Sequence, residues 1–121
     1  MGRQEVAVVL MVIGVVFAGC RPAPPGGRQP PGQTVDVTAR EWAFEPSPLV
    51  ARAGTVTFRV KNDGGVEHTF TIERQPKAEL AGITSGETKS LTVTLARGEY
   101  TVFCSLPGHR EAGMVTPLTI E

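Results

Sequence analysis

Val56, Phe58 and Val60 alternate with Thr57 and Arg59, and the same period of two returns in His68, Phe70 and Ile72 and again in Leu91, Val93 and Leu95. That period belongs to strands that bury one face, because successive side chains on an extended backbone point to opposite sides. Runs rich in β-branched and aromatic residues are predicted as strands over Thr34–Phe44, Thr55–Lys61, Val66–Glu73, Lys89–Leu95, Glu99–Cys104 and Met114–Ile120, with Leu49–Ala51 as a short addition. Turn chemistry separates them at Ala53-Gly54, Asn62-Asp63-Gly64-Gly65, Ser85-Gly86 and Arg97-Gly98. Six or seven short strands at this spacing predict an all-β domain, an antiparallel sandwich or barrel. The segment Pro76 to Gly82 is expected to form a helical turn. Trp42 and Phe44, two apart in the first run, are expected in the core with no functional role.

Before these strands the pattern changes twice. Residues 1–19 contain an unbroken apolar run of 14 residues from Val6 to Gly19. Its length suits the hydrophobic region of a signal peptide and falls short of the roughly 20 residues a spanning helix needs. The run ends in Phe17-Ala18-Gly19-Cys20, which resembles a bacterial lipobox, whose Cys becomes the acylated first residue of the mature chain. An uncleaved anchor and plain secretion are the other readings, and all three place the rest of the chain outside the cytoplasm. Residues 21–33, RPAPPGGRQPPGQ, hold five Pro and three Gly and no large apolar side chain. They read as a linker that spans roughly 40 Å if extended as polyproline II at ~3.1 Å per residue. Residues 20–33 are thus expected to form a lipidated Cys and tether, and residues 34–121 one domain, large enough for a core of its own.

That domain carries nine Lys or Arg against eleven Asp or Glu, a formal charge of −2 with neutral histidines. It offers no basic face for nucleic acid.

The chemistry is concentrated near the end of the chain. Four residues separate Cys104 from His109, and four separate His109 from Met114; His68 lies upstream. The chain has two His, two Cys and three Met, and Met1, Met11 and Cys20 all belong to the leader region. Every other His, Cys and Met therefore belongs to this set. Thiolate and thioether are soft donors and imidazole suits copper, so two His, one Cys and one weak Met match a mononuclear blue-copper electron-transfer site rather than a zinc site. A disulfide between Cys20 and Cys104 is the less favoured use of the two cysteines. His68 shares its strand face with Phe70 and Ile72 and is expected to point inward. Cys104 ends the strand through Tyr100 and Val102, and the Pro107-Gly108 turn brings His109 back.

The stretch Tyr100-Thr-Val-Phe-Cys-Ser-Leu-Pro-Gly-His followed by Ala112-Gly-Met, with His68 after the Asn62-Asp-Gly-Gly turn, resembles the cupredoxin family of type I copper proteins. The loop spacing looks nearer to auracyanins and rusticyanins than to plastocyanins. The resemblance covers roughly residues 34–121. It implies a Greek-key β-sandwich and one copper ion, with His68, Cys104 and His109 as equatorial ligands and Met114 as the long axial one. Thr69 stands where the family often has an Asn that ties the two ligand loops together, and its hydroxyl is expected to bond to Ser105. Glu67 is expected to be solvated.

The implied function is a membrane-tethered, extracytoplasmic one-electron carrier, in the periplasm or on the outer face of a membrane, meeting redox proteins transiently through an apolar patch around His109, Leu106, Pro107 and Ala112. No enzymatic activity and no small-molecule substrate are expected. Two alternatives remain at this level: a periplasmic copper-binding or delivery protein, and an interaction domain with an inert Cys104.

Overall fold

The computed structural model describes residues 32–75 and 78–121. The expected leader, Cys20 and nearly all of the expected tether lie outside the described residues. Nine strands are present among those described: β1 (Gln33–Arg40), β2 (Ala43–Glu45), β3 (Leu49–Ala51), β4 (Gly54–Asn62), β5 (His68–Ile72), β6 (Glu79–Ile83), β7 (Thr88–Leu95), β8 (Gly98–Phe103) and β9 (Val115–Ile120). They form two sheets, ordered β2-β1-β4-β7 and β3-β9-β8-β5-β6. The pairings β1–β4 and β3–β9 are parallel and the others antiparallel. The all-β expectation holds.

The alternating triplets do what their period implies. Val56, Phe58 and Val60 on β4 and Phe70 and Ile72 on β5 are buried. Leu91 and Val93 on β7 are half-buried against the same core, which Leu95 completes. Three aromatic rings join the sheets: Phe70 of one lies 5.7 Å from Phe44 and 5.2 Å from Phe58 of the other, centroid to centroid. These separations fall in the favourable range for aromatic pairs.

Three expectations need correction. The run Thr34–Phe44 is two strands, because the chain reverses at Glu41-Trp42 and β2 folds back on β1 with Ala39 opposite Phe44. Phe44 is in the core as expected, but Trp42, on the reversal, is 42 % exposed. Alternation along a strand cannot be carried across a turn, which is why the two aromatics part company. The segment Pro76 to Gly82 does not form the expected helical turn in its described part: β6 begins at Glu79 and pairs with the free edge of β5, where Phe70 faces Leu80. Edge pairing satisfies the backbone groups of this short run, which a single helical turn would leave largely unpaired.

Candidate metal centre

His68 opens β5, and its approach is built by a buried amide. Asn62, at the end of β4, accepts the Gly64 N–H at 2.8 Å through Oδ1 and donates through Nδ2 to the carbonyls of Val66 at 2.7 Å and Ile83 at 2.8 Å. One side chain thus ties the 62–66 turn to itself and to the end of β6. Cys104 follows directly on β8, the neighbour of β5, where Thr71 faces Phe103 and Ile72 faces Val102. The two donors come from adjacent strands, as their strand patterns suggest.

Residues 105–113 fold into a tight double turn. His109 N–H donates to Leu106 O at 3.1 Å, Ala112 N–H to Gly108 O at 3.1 Å, and Met114 N–H to His109 O at 3.1 Å. Cys104 N–H donates to Met114 O at 3.1 Å and closes the loop at its base. Gly113 makes the last reversal with φ of +111°, a conformation that side chains with a Cβ rarely adopt. The loop returns Met114 to the core beside Cys104, both fully buried.

The donor atoms of His68, Cys104 and His109 lie within 4.8 Å of one another, and Cys104 Sγ is 3.4 Å from His109 Nδ1. His68 and Cys104 are 0 % exposed; His109 is half-buried. His68 Nε2 lies 3.3 Å from a Glu41 carboxylate oxygen. His68 Nδ1 is buried with no hydrogen-bond partner among the described residues. An orphaned buried acceptor costs about 1–3 kcal/mol, and a metal ion is the partner that such a nitrogen beside a thiol and a second imidazole lacks. The residues present therefore fit a soft metal ion.

The cysteine sulfur is held from the opposite strand. Thr69 directs its N–H at Cys104 Sγ over 3.3 Å, and its hydroxyl lies 3.6 Å from the same sulfur. Thr69 Oγ1 also accepts the Ser105 N–H at 2.7 Å and lies 2.9 Å from Ser105 Oγ. The expected Thr69–Ser105 tie is present, and Ser105 extends it to Glu79 at 3.0 Å. Glu67 is exposed, as expected.

Two neighbours have no counterpart in the sequence reading. Glu41, 27 residues before His68, touches its ring and accepts the N–H groups of Gly65 at 2.9 Å and Val66 at 3.0 Å. A Cβ at Gly64 would fall on this carboxylate, so a larger residue there would have to displace the Glu41 side chain. Trp42 packs edge-on against His109 with centroids 4.6 Å apart and reaches His68 at 6.2 Å. Leu106, by contrast, is half-buried against the core. No ligand spacing marks Glu41 or Trp42, which the β1–β2 reversal delivers; its trace in the sequence is the shift of apolar positions from Val35, Val37 and Ala39 to Trp42 and Phe44.

Burial pushes the His68 pKa below its ordinary 6.5; Glu41 opposes this, and His109 adds to it. The Glu41 carboxyl is held below its usual 4.5, first by its own backbone amide and then, against some desolvation, by the Val66 and Gly65 amides and His68. An unfolded chain therefore binds a proton at His68 more readily than the folded, metal-free one, so stability rises with pH across that range. The contribution is complete above about pH 6.5 and is lost as pH falls through the lower folded value. Urea midpoints of the metal-free protein should drop between neutral pH and the mid-acid range, and His68→Gln should flatten that drop. An equally steep drop in the variant would remove His68 as its cause.

The cupredoxin-like domain family model matches residues 9–116. Auracyanin B is similar in structure, with a TM-score of 0.67 at 26 % identity over 77 % of this chain and 91 % of that one. Auracyanin A of Chloroflexus aurantiacus, described as a "blue" copper protein, gives 0.64 at 24 % identity over 74 % and 100 %. The dithionite-reduced auracyanin of Roseiflexus castenholzii gives 0.66 at 19 % identity over 73 % and 96 %. A multicopper oxidase shares the fold at 17 % identity, and the match spans 41 % of its length. No curated protein sequence matches the chain. With a family model spanning nearly all of the described strands, two sheets of the matching architecture and a His-Cys-His cluster whose His68 and Cys104 are buried, the chain belongs to the cupredoxin-like domain family.

Proposed function

We propose that the protein is an extracytoplasmic one-electron carrier in which His68, Cys104, His109 and Met114 hold a single copper ion. The observation that carries this reading is the convergence of three donors within 4.8 Å, two of them on buried residues, and the buried His68 Nδ1 that has no hydrogen-bond partner among the described residues. The soft thiol and thioether select copper over harder ions. The similarity to auracyanins, one of them described as a blue copper protein, supports the same reading.

Copper supplies the one-electron couple, and the chain supplies a frame that barely has to move. Cys104 and His68 stand on adjacent strands, His109 and Met114 on a loop closed by backbone hydrogen bonds. Thr69 fixes the sulfur, and a coordinated thiol gives up its proton outright. The two His and two Cys of the whole chain cannot also furnish a trinuclear oxidase cluster, so we read a carrier rather than an enzyme, without nucleic acid or small-molecule substrate. Burial of His68, Cys104 and Met114 also argues against a delivery protein, whose donors must exchange.

His109 is the donor nearest solvent, and Trp42 covers its edge. Redox partners, meeting it through a small interface below about 1,200 Å², would meet this indole together with the exposed Pro107 and Ala112. Trp is enriched among residues whose truncation costs an interface more than about 1 kcal/mol. Trp42→Ala should therefore slow electron self-exchange between oxidised and reduced protein by roughly tenfold, with the copper spectrum unchanged. An unaltered rate would move the docking face elsewhere.

The tether reading completes the proposal. Acylated Cys20 followed by residues 21–33 would hold the domain at a membrane surface and raise its local concentration near membrane partners. The test of the function is the visible and paramagnetic resonance spectrum of residues 21–121 with one equivalent of Cu(II). An intense thiolate-to-copper band with narrow copper hyperfine splitting, and release to a chelator that takes far longer than seconds, is the expected result. A pale spectrum like that of ordinary cupric amine complexes would sink the copper-carrier reading.

A further inference from the structure

We propose that Glu41 is a positioning residue that fixes the ring of His68 and biases the centre toward its more positively charged oxidation state. This rests on the copper reading above and names a device within that site. An ionised carboxylate only accepts hydrogen bonds, so the 3.3 Å contact from Glu41 to His68 Nε2 places the ring proton on Nε2. That assignment leaves Nδ1 as the nitrogen free to bind, and Nδ1 is the buried atom without a partner. The carboxylate is itself held in place. Gly65 and Val66 donate their N–H groups to the same oxygen that meets the ring, and the bare backbone of Gly64 lets the loop close on it. Asn62 anchors the far side of that loop through Gly64, Val66 and Ile83. Tautomer, ring orientation and loop shape thus share one side chain.

A carboxylate behind a ligating histidine makes the imidazole a stronger donor, and removing such a partner typically lowers metal affinity by 10–100-fold. A charge also does something a neutral acceptor cannot: it attracts Cu(II) more than Cu(I). The Glu41 side chain is 31 % exposed, and solvent screens part of its field, so the lower end of that range applies. A neutral partner at this position should cost Cu(II) about tenfold more affinity than Cu(I). For a one-electron couple, a tenfold ratio raises the reduction potential by about 59 mV.

The experiment uses the full chain and its Glu41→Gln and Glu41→Ala variants. Nitrogen-15 spectra of the metal-free protein assign the His68 tautomer, and chelator competition gives Cu(II) and Cu(I) affinities separately. The wild type should show the proton on His68 Nε2. Glu41→Gln, which keeps a carbonyl acceptor for the ring and the loop amides, should retain that tautomer and the thiolate band. It should lose about tenfold more Cu(II) than Cu(I) affinity, with the potential rising by about 59 mV. Glu41→Ala should in addition lose the single tautomer. Equal losses for both oxidation states in Glu41→Gln would make the side chain mere loop scaffolding and overturn the proposal, as would a wild-type proton on Nδ1. A wild-type chain without the thiolate band would overturn the copper reading itself, a failure visible before any variant is compared.

Discussion

Cys104→Ser should leave a folded protein that never acquires the intense thiolate-to-copper band, and its Cu(II) affinity should fall by more than the roughly 100-fold that loss of an outer partner can cause. The sulfur is fully buried, 3.4 Å from His109 Nδ1 and 3.3 Å from the Thr69 amide. It is the one soft anionic donor the site has, since Met114 is a neutral thioether and the other two donors are imidazoles. A serine hydroxyl in its place still accepts the Thr69 N–H, so the β5–β8 junction keeps its hydrogen bond. Leaving the hydroxyl buried costs about 1–3 kcal/mol at most, which a domain of ordinary stability survives. Visible absorption and paramagnetic resonance at matched copper loading, with circular dichroism as the fold control, separate loss of ligand from loss of fold. A variant that keeps the band would mean that the sulfur seen beside His109 is not the one that binds, leaving Cys20 as the other thiol of the chain, whereas a wild-type protein without the band would favour the interaction-domain reading.

What the sequence displayed, and what it hid, follows from how far each interaction reaches. The cluster of His68, Cys104 and His109 was legible because the chain spends both its histidines and its one Cys beyond residue 20 on it, and because Cys104 and His109 lie on one short stretch. The strands carrying His68 and Cys104 were legible because period-two alternation is a local property of the backbone. Their adjacency became visible only in the β5–β8 pairing. The Thr69–Ser105 tie could be foreseen once those strands were placed together. Glu41 and Trp42 were missed because their roles depend on a reversal, whose trace in the sequence is the change of parity in the apolar positions, from Val35, Val37 and Ala39 to Trp42 and Phe44. Read as strand, Thr34–Phe44 puts Trp42 and Phe44 on one buried face; folded at Glu41-Trp42, it sends Phe44 into the core and Trp42 out against His109. Strand β6 was missed for a related reason. Its pairing with the edge of β5 is decided by a vacant ladder rather than by its own weak pattern of Glu, Leu, Ala, Gly and Ile.

Phe70→Ala should be the most destabilising single change available in the core, and it tests whether the core or the metal sets the donor geometry. Phe70 is fully buried two residues from His68 on the same face of β5, and it is the aromatic of its sheet that meets both Phe44 and Phe58 across the sandwich. Removing the ring costs about 3–5 kcal/mol, against a total of about 5–15 kcal/mol for a domain of ordinary stability. At about 4–8 °C per kcal/mol for a domain of this size, the metal-free Tm should fall by at least about 12 °C, while Phe70→Leu, which leaves a smaller cavity, should fall less. Copper binds the folded state preferentially, so an ion at a thousand times its Kd should return about 4 kcal/mol, nearly the whole deficit. A loaded Phe70→Ala variant that regains the wild-type metal-free Tm and shows an unshifted thiolate band would mean that the strand backbones and the closed loop place His68 and Cys104, with the aromatic cluster supplying only stability. A band that shifts or broadens in that variant would show that Phe70 also holds β5 in the register that brings His68 to the sulfur.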